Sequence, residues 1–426
     1  MSNNVRVLAG RKLNVLERGI VTSSSEDPLF PRPLIYDGRP SRPFRFSKGD
    51  ANDHVTVDTC LTLDPGFESW LDINTPEKWT KVLTGGASVT RNSIVPDTGT
   101  YCCQLASPAI NPGTAIVMQT IQVRAGETFY PVARAKAAPG GTFLYLYCRN
   151  RQTGRWLTTA GAWSATEQPW FSISLTTSYQ TAASSARTVE GMDVCMTDLV
   201  DLELSARVVG GGGGDIEVYL DNYRLLPEID FLSLHGHNID ASISVELRSS
   251  NDPTFASSTL RATLTKRVPA FYGILGSPVT SDQHWRVLFS GTNLTPISLG
   301  ELVLGKALTL ARRPDYGWEI KQIDPDVATE TPTGEVYSYP QAKWARRVLG
   351  MQYKFFSSAE MEEQLREVFQ RCRGRRHPLV IVPDDTRPEV LHGRIDRSWA
   401  AKRRLVNVYD DTSLVVSESP FEVATL

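Results

Sequence analysis

Five aromatic residues crowd one short stretch of this chain: Tyr145, Tyr147, Trp156, Trp163 and Trp170. Aromatic faces stack on the apolar side of a pyranose ring while a few polar side chains orient it, so the chemistry they imply is sugar recognition. Tyr145 and Tyr147 stand at period-two spacing and share a strand face with Phe143. Trp156 and Trp163 are the favoured contacts, with Arg155 beside them, because residues 151–155 and 158–161 read as solvent-facing loops. Other groupings support no reaction. His235 and His237 fall on one face of a predicted strand without a third metal ligand. Asp324, Asp326 and Glu330 lie in a Pro- and Thr-rich loop that lacks the central glycine of a calcium loop. The glycine run 210–214 is not followed by Lys-Ser or Lys-Thr, and it reads as a hairpin connection between strands. No GxSxG or HExxH run occurs. The expectation is a protein that binds without catalysing.

Several elements must position these groups. With 426 residues, 41% hydrophobic and 22% charged, the chain is long enough for two to four cores of ordinary globular composition. A formal net charge of −2 removes any whole-protein attraction to nucleic acid or membrane surfaces. No apolar run is long enough to span a bilayer, and the charged N-terminus does not read as a secretory signal. Six scattered cysteines without CxxC spacing predict reduced, mostly buried thiols. Short β-branched and aromatic runs bounded by Gly, Pro, Ser or Asn predict strands near 114–124, 143–149, 170–175, 201–209 and 215–226, and again through 229–310. In the second series Trp285, Val287 and Phe289 alternate with Arg286 and Leu288. Residues 341–407 then carry fifteen Lys and Arg against eight Asp and Glu. Within them Ser357 and Glu360 form a capping-box pattern ahead of Met361, Leu365, Val368, Phe369 and Cys372 at helical spacing, so a helix between strands is predicted.

Gly66-Phe67-Glu68, Trp70, Trp79, Asp97 to Tyr101, Gln119 to Val123 and the strand Val218-Tyr-Leu-Asp-Asn-Tyr-Arg-Leu225 follow one another in an order that resembles jelly-roll carbohydrate-binding modules of families 4 and 9. The resemblance implies a structural calcium near the first and last strands, carried over here only to Glu68 and Asp221. The flanking runs Phe231 to Asn238, Trp285 to Phe289 and Ile297 to Gly305 resemble a galactose-binding-like sandwich of bacteriophage tail and baseplate proteins. The last segment, with Gly350 to Phe355 and Arg375 to Pro383, resembles the ring-forming domains of tail-tip proteins, including the distal tail protein.

Together these readings predict a mainly β protein. Residues 1–63 plus 229–312 would form a galactose-binding-like β-sandwich interrupted by an inserted β-jelly roll at 64–228, and 313–426 a small α+β assembly domain. The implied role is a non-enzymatic component of a phage tail tip or baseplate, assembled in the bacterial cytoplasm. It would form a homo-oligomeric ring with other tail proteins and present the jelly roll to host surface polysaccharide. Arg373, Arg375, Arg376, Arg403 and Arg404 are the predicted assembly surface; nucleic acid is disfavoured because stacking aromatics are not interleaved with these cations. The alternatives are a carbohydrate-binding accessory protein of a polysaccharide-degrading system, or a head or side-fibre decoration protein.

Overall fold

The computed structural model describes residues 5–9, 14–37, 43–47, 52–124, 127–138, 142–183, 187–188, 199–210, 214–240, 242–264, 270–279, 281–291, 295–310, 314, 317–323, 326–330, 336–340, 346–353, 356–357, 368–369, 372, 376–387, 389–396, 402–405, 408–410 and 412–419. The chain divides into two compact units. Thr59–Glu228 with Thr280–Gln283 make the smaller; Met1–Asp58, Ile229–Val279 and His284–Leu426 make the larger.

The smaller unit is a sandwich of two antiparallel sheets. One, here the tyrosine sheet, runs in spatial order Gln180–Ala183, Thr128–Ala138, Ile216–Pro227, Cys102–Ser107, Ser88–Asn92, with Arg187–Thr188 also on Thr128–Ala138. The other, the tryptophan sheet, runs Trp163–Ser164, Trp156–Leu157, Phe143–Asn150, Leu199–Val209, Thr114–Arg124, Thr80–Leu83, with Phe171–Ser174 also on Phe143–Asn150. Strand alternation builds the core between them: Ala133, Ala135 and Ala137 of one sheet face Leu144, Leu146, Leu202 and Leu204 of the other. In Ile216–Pro227 the inward residues are Val218 and Leu220, then Tyr223 and Leu225, so the parity changes partway along. The ladder explains the change, because Arg134 opposes Asn222 while Ala135 opposes Leu220, leaving Asp221 as the extra residue of a bulge. The glycine run does not close a hairpin. Leu199–Val209 and Ile216–Pro227 belong to different sheets; residues 211–213 of the run lie outside the described residues. Gly210 packs closely on Ser107, whose Oγ lies 2.1 Å from where a Cβ would stand.

In the larger unit, Ile20–Ser23, Asn52–Asp58, His284–Ser290, Ser244–Ser250 and Thr259–Leu264 form a sheet over Phe44–Arg45, Ser298–Gly305, Ile229–His237 and Ala270–Val279. Trp285, Val287 and Phe289 point into the core between them, as their alternation predicts. A seven-stranded antiparallel sheet follows in spatial order Leu308–Leu310, Val5–Ala9, Leu379–Val382, Leu391–Ile395, Thr412–Glu418, Arg346–Tyr353, Trp318–Ile323. Its Val380, Val382 and Val390 pack with Phe231 and Val303 of the middle sheet. Ile229–His237 and Ser298–Gly305 are therefore covered on both faces and buried along their whole length.

The expected α+β C-terminal domain is corrected here. The described residues are almost entirely β, with only short helical stretches, and the C-terminal strands are organised as a sheet that also takes in Val5–Ala9. Of the predicted helix, Val368, Phe369 and Cys372 are helical and buried, Ser357 lies on a two-residue strand paired with Val408, and the remainder lies outside the described residues. Apolar residues at three- and four-residue spacing made the helical pattern, and a sheet supplies most of what packs around them. Asp326 and Glu330 likewise fall on a strand, Asp326–Glu330, paired with Val336–Pro340; Asp324 lies outside the described residues. Cys60, Cys102, Cys103, Cys148 and Cys372 are not disulfide-bonded among the described residues, and all but the first are buried. Among the described residues no helix is long and apolar enough to cross a membrane.

Candidate functional site

Most of the aromatic residues favoured from sequence lie on the outer face of the tryptophan sheet. Tyr145 and Tyr147 point outward from one strand, and Trp156 extends the same face from the next, opposite Arg149. Tyr147 and Trp156 meet edge-on at 5.9 Å. Both rings are already occupied by cations. The Arg207 guanidinium lies 4.3 Å from the Tyr147 ring and pairs with Glu167 at 2.7 Å, while Arg149 lies 5.2 Å from Trp156. Tyr147 is only 8% exposed as a result. Burial pushes its hydroxyl pKa up, against the lowering effect of Arg207. The open part of this face is apolar: Phe143, 49% exposed, stacks on Tyr145 at 6.1 Å, Val209 is exposed on the neighbouring strand, and Val82 is exposed at the far edge of the sheet. Trp163 departs from the group, since Leu157 and Trp163 oppose each other and Trp163 packs against the core. Arg155 is exposed in the loop before Trp156.

The outer face of the tyrosine sheet carries a second constellation that sequence reading missed. Lys136, Tyr219, Gln104 and Thr90 stand directly opposite one another on four neighbouring strands, and Tyr179 extends the row beside Lys136. Five strands make four steps, or roughly 19 Å, of one continuous row. The side chains are fixed by their neighbours. Tyr179 donates its hydroxyl to Val95 O at 2.8 Å, and Tyr219 donates to Glu217. Gln104 Oε1 accepts from Asn92 at 3.1 Å and Thr90 at 3.5 Å. Arg134, one turn of the pleat from Lys136, pairs with Asp97 and donates to Thr181 at 2.9 Å. Arg91, which alternates to the other side of its strand opposite Cys103, lies over Tyr101 at 4.5 Å. Partial burial, with Glu217 as acceptor, pushes the Tyr219 hydroxyl up to about 12, so it stays a neutral donor. Burial likewise raises the Cys102 thiol to about 11, which makes it inert rather than nucleophilic. All of these polar residues except Thr181 and Cys102 are half-buried, the environment in which a hydrogen bond to a ligand is worth most.

Glu68 and Asp221 converge on one turn at the edge of this face. Asp221 Oδ2 accepts from the backbone N–H and hydroxyl of Thr98 at 2.6 and 3.2 Å, and Glu68 Oε1 from the N–H groups of Thr100 and Tyr101 at 2.9 and 3.3 Å. Gly99, at φ +69° with Glu68 Oε1 pressed where a Cβ would be, lets the turn close. The bulge aims the Asp221 carboxylate at this turn, and burial raises its pKa despite the bonds from Thr98. Its Oδ1 is buried without a partner. Among the described residues no cluster of three or more His, Cys, Asp or Glu is arranged to hold a metal.

His235 and His237 do not share a face, because Gly236 between them takes φ +61°. His235 meets His392 of the seven-stranded sheet at 5.4 Å, while His237 packs edge-on against Phe271 at 5.0 Å. Of the predicted assembly residues, Arg376 is exposed; Arg403 and Arg404 lie on Lys402–Leu405; Arg373 and Arg375 lie outside the described residues.

No family model matches this chain. No curated protein matches it either. Among solved structures, the module TmCBM61 in complex with β-1,4-galactotriose is 15% identical, with 39% of this chain and 98% of that chain covered and a TM-score of 0.26. The tandem CBM22 domains of Paenibacillus barcinonensis Xyn10C are 10% identical over 58% of this chain and 96% of that one, at a TM-score of 0.26. The enzymatically active domain of tailspike protein 4 of bacteriophage CBA120 is 18% identical at a TM-score of 0.28; the match covers 39% of this chain but 22% of the tailspike. At these scores the likeness identifies no relative, and the side chains of the two faces carry the functional reading.

Proposed function

We propose that the smaller unit recognises a polysaccharide chain, without cleaving it, along the outer face of the tyrosine sheet. The observation that carries this is the row Tyr179, Lys136, Tyr219, Gln104, Thr90: aromatic faces alternate with hydrogen-bonding groups across five strands. Rings of a sugar chain laid along it would stack on Tyr219 and Tyr179 while polar groups of the sugars bond to the Gln104 amide and the Lys136 ammonium. The Phe143, Tyr145, Tyr147, Trp156 and Arg155 surface is the rival location. A glycan array with the full chain tests the choice: Tyr179→Ala with Tyr219→Ala abolishes retention, whereas Tyr145→Ala with Trp156→Ala leaves it. The reverse pattern would move the site to the tryptophan sheet, and no glycan retained by the parent would end the reading. A structural calcium at Asp221 and Glu68 belongs to this proposal, supported by the unpartnered Asp221 Oδ1. Calcium should raise the melting temperature of the parent and leave that of Asp221→Asn unchanged.

The larger unit would serve as the platform. An accessory protein of polysaccharide breakdown needs no more than this. A bacteriophage tail tip or baseplate is the second reading, favoured because the segment entering the smaller unit is tied to its last strand, Leu61 N–H donating to Leu225 O at 2.9 Å, as suits an inserted, displayed module. Mass measurement in solution separates the two. A monomer supports the accessory protein, and a closed ring supports the tail tip.

A further inference from the structure

Lys136 stands at the centre of the tyrosine row without a counter-charge. Its ammonium is 4.7 Å from the Tyr179 ring and 5.6 Å from that of Tyr219, and it makes no ion pair or hydrogen bond among the described residues. The other charges of this face are committed. Arg134 holds Asp97, and Glu217 accepts from Tyr219. A half-buried ammonium between two aromatic faces recovers only part of its lost hydration from the rings, so a desolvated anion brought to it completes the site. Gln104 adds a donor on the same line, because its Oε1 takes the bonds from Asn92 and Thr90 and its amide nitrogen is left to give.

We propose that the polysaccharide is acidic: a uronic acid unit places its carboxylate on Lys136 Nζ while the apolar face of its ring rests on Tyr219. This rests on the tyrosine row being the glycan site, and goes beyond it by naming the sugar class. A neutral sugar would stack on the same rings but leave the ammonium unpaired, and discrimination against it follows from that unpaired charge.

The test compares retention of the full chain by polygalacturonate, by its methyl-esterified form and by a neutral galactan. Free-acid polymer should bind about tenfold more tightly than the ester, a difference of about 1.4 kcal/mol, and should lose that advantage as salt rises. Lys136→Met should remove the preference and Lys136→Arg should keep most of it, both with an unchanged melting temperature. Equal binding of acid and ester, or a preference untouched by Lys136→Met, overturns the acidic-glycan inference. Binding of neutral galactan alone overturns it while leaving polysaccharide recognition intact, and binding of none of the three, with no glycan retained on the array, overturns both.

Discussion

The two outer faces of the smaller sandwich are built from the same ingredients and arranged to opposite effect. On the tryptophan sheet each large ring is paired with a cation of its own sheet: Arg207 covers Tyr147 and Arg149 covers Trp156, leaving an apolar margin of Phe143, Val82 and Val209. On the tyrosine sheet one cation is shared by two rings, and the hydrogen-bonding groups continue in line with it. Aromatic content therefore does not locate a binding surface. What matters is whether faces and donors are already consumed by their neighbours.

The sharpest way to break this comparison is to truncate each face in turn. At about 2 kcal/mol for each well-packed aromatic anchor, Tyr179→Ala with Tyr219→Ala should weaken glycan binding several-hundred-fold. Tyr145→Ala with Trp156→Ala should change it less than about threefold, and equal losses in isothermal titration would erase the distinction.

Acid separates the faces from the platform. Burial, the neighbouring His392 and Arg347 hold the imidazole of His235 well below its ordinary range, and burial with Arg394 lowers His392 to about 3. Both are bases with depressed folded pKa values, so the unfolded chain takes up their protons first and stability falls as pH drops below about 6.5. At pH 5 the loss should be about 2 kcal/mol for each histidine, read as a lower melting temperature of the larger unit. Asp221 and Asp64 are acids raised by burial, for which mild acid acts in the opposite direction. Scanning calorimetry from pH 7 to 5 should lower one transition and spare that of the sandwich; His392→Gln should flatten the response.

Asp221→Ala sharpens the comparison from within. It strips the Thr98 turn of its acceptor, at a cost of about 1–3 kcal/mol in stability, and loosens Asp97, which orients Arg134 on the tyrosine face. Glycan binding should fall with it, while the Arg207 and Tyr147 contact, followed by tyrosine fluorescence, should not change. Arg207→Ala is expected to have the smallest effect: within about 1 kcal/mol in stability, because its bridge to Glu167 is partly exposed, and no loss of binding.

Much of the strand pattern was legible. Thr114–Arg124, Phe143–Asn150, Leu199–Val209 and His284–Ser290 lie where runs of β-branched and aromatic residues place them. Thr128–Ala138 was not, although it is the central cation-bearing strand of the candidate site. Pro131 interrupts it, and its inward positions are Ala133, Ala135 and Ala137, small residues that carry little strand signal but allow close sheet packing. The helix pattern at 357–372 misled for the converse reason, since spacing alone does not distinguish helical residues packed under a sheet from a domain organised by a helix. Tyr219 was visible in its strand, and the break in alternation at Asp221 was readable from Val218, Leu220, Tyr223 and Leu225. Tyr179 and Lys136 carried no local signal.

From the residues alone came the β character of the chain, the strands rich in Val, Ile and aromatics, and the outward pairing of Tyr145 with Tyr147, because successive Cβ atoms alternate across any strand. Which faces of different strands join was decided only by tertiary structure. Residues 90, 104, 136, 179 and 219 become one row through a hydrogen-bonded register set over more than a hundred residues of chain, bulge included, and no local pattern encodes a ladder between strands so far apart.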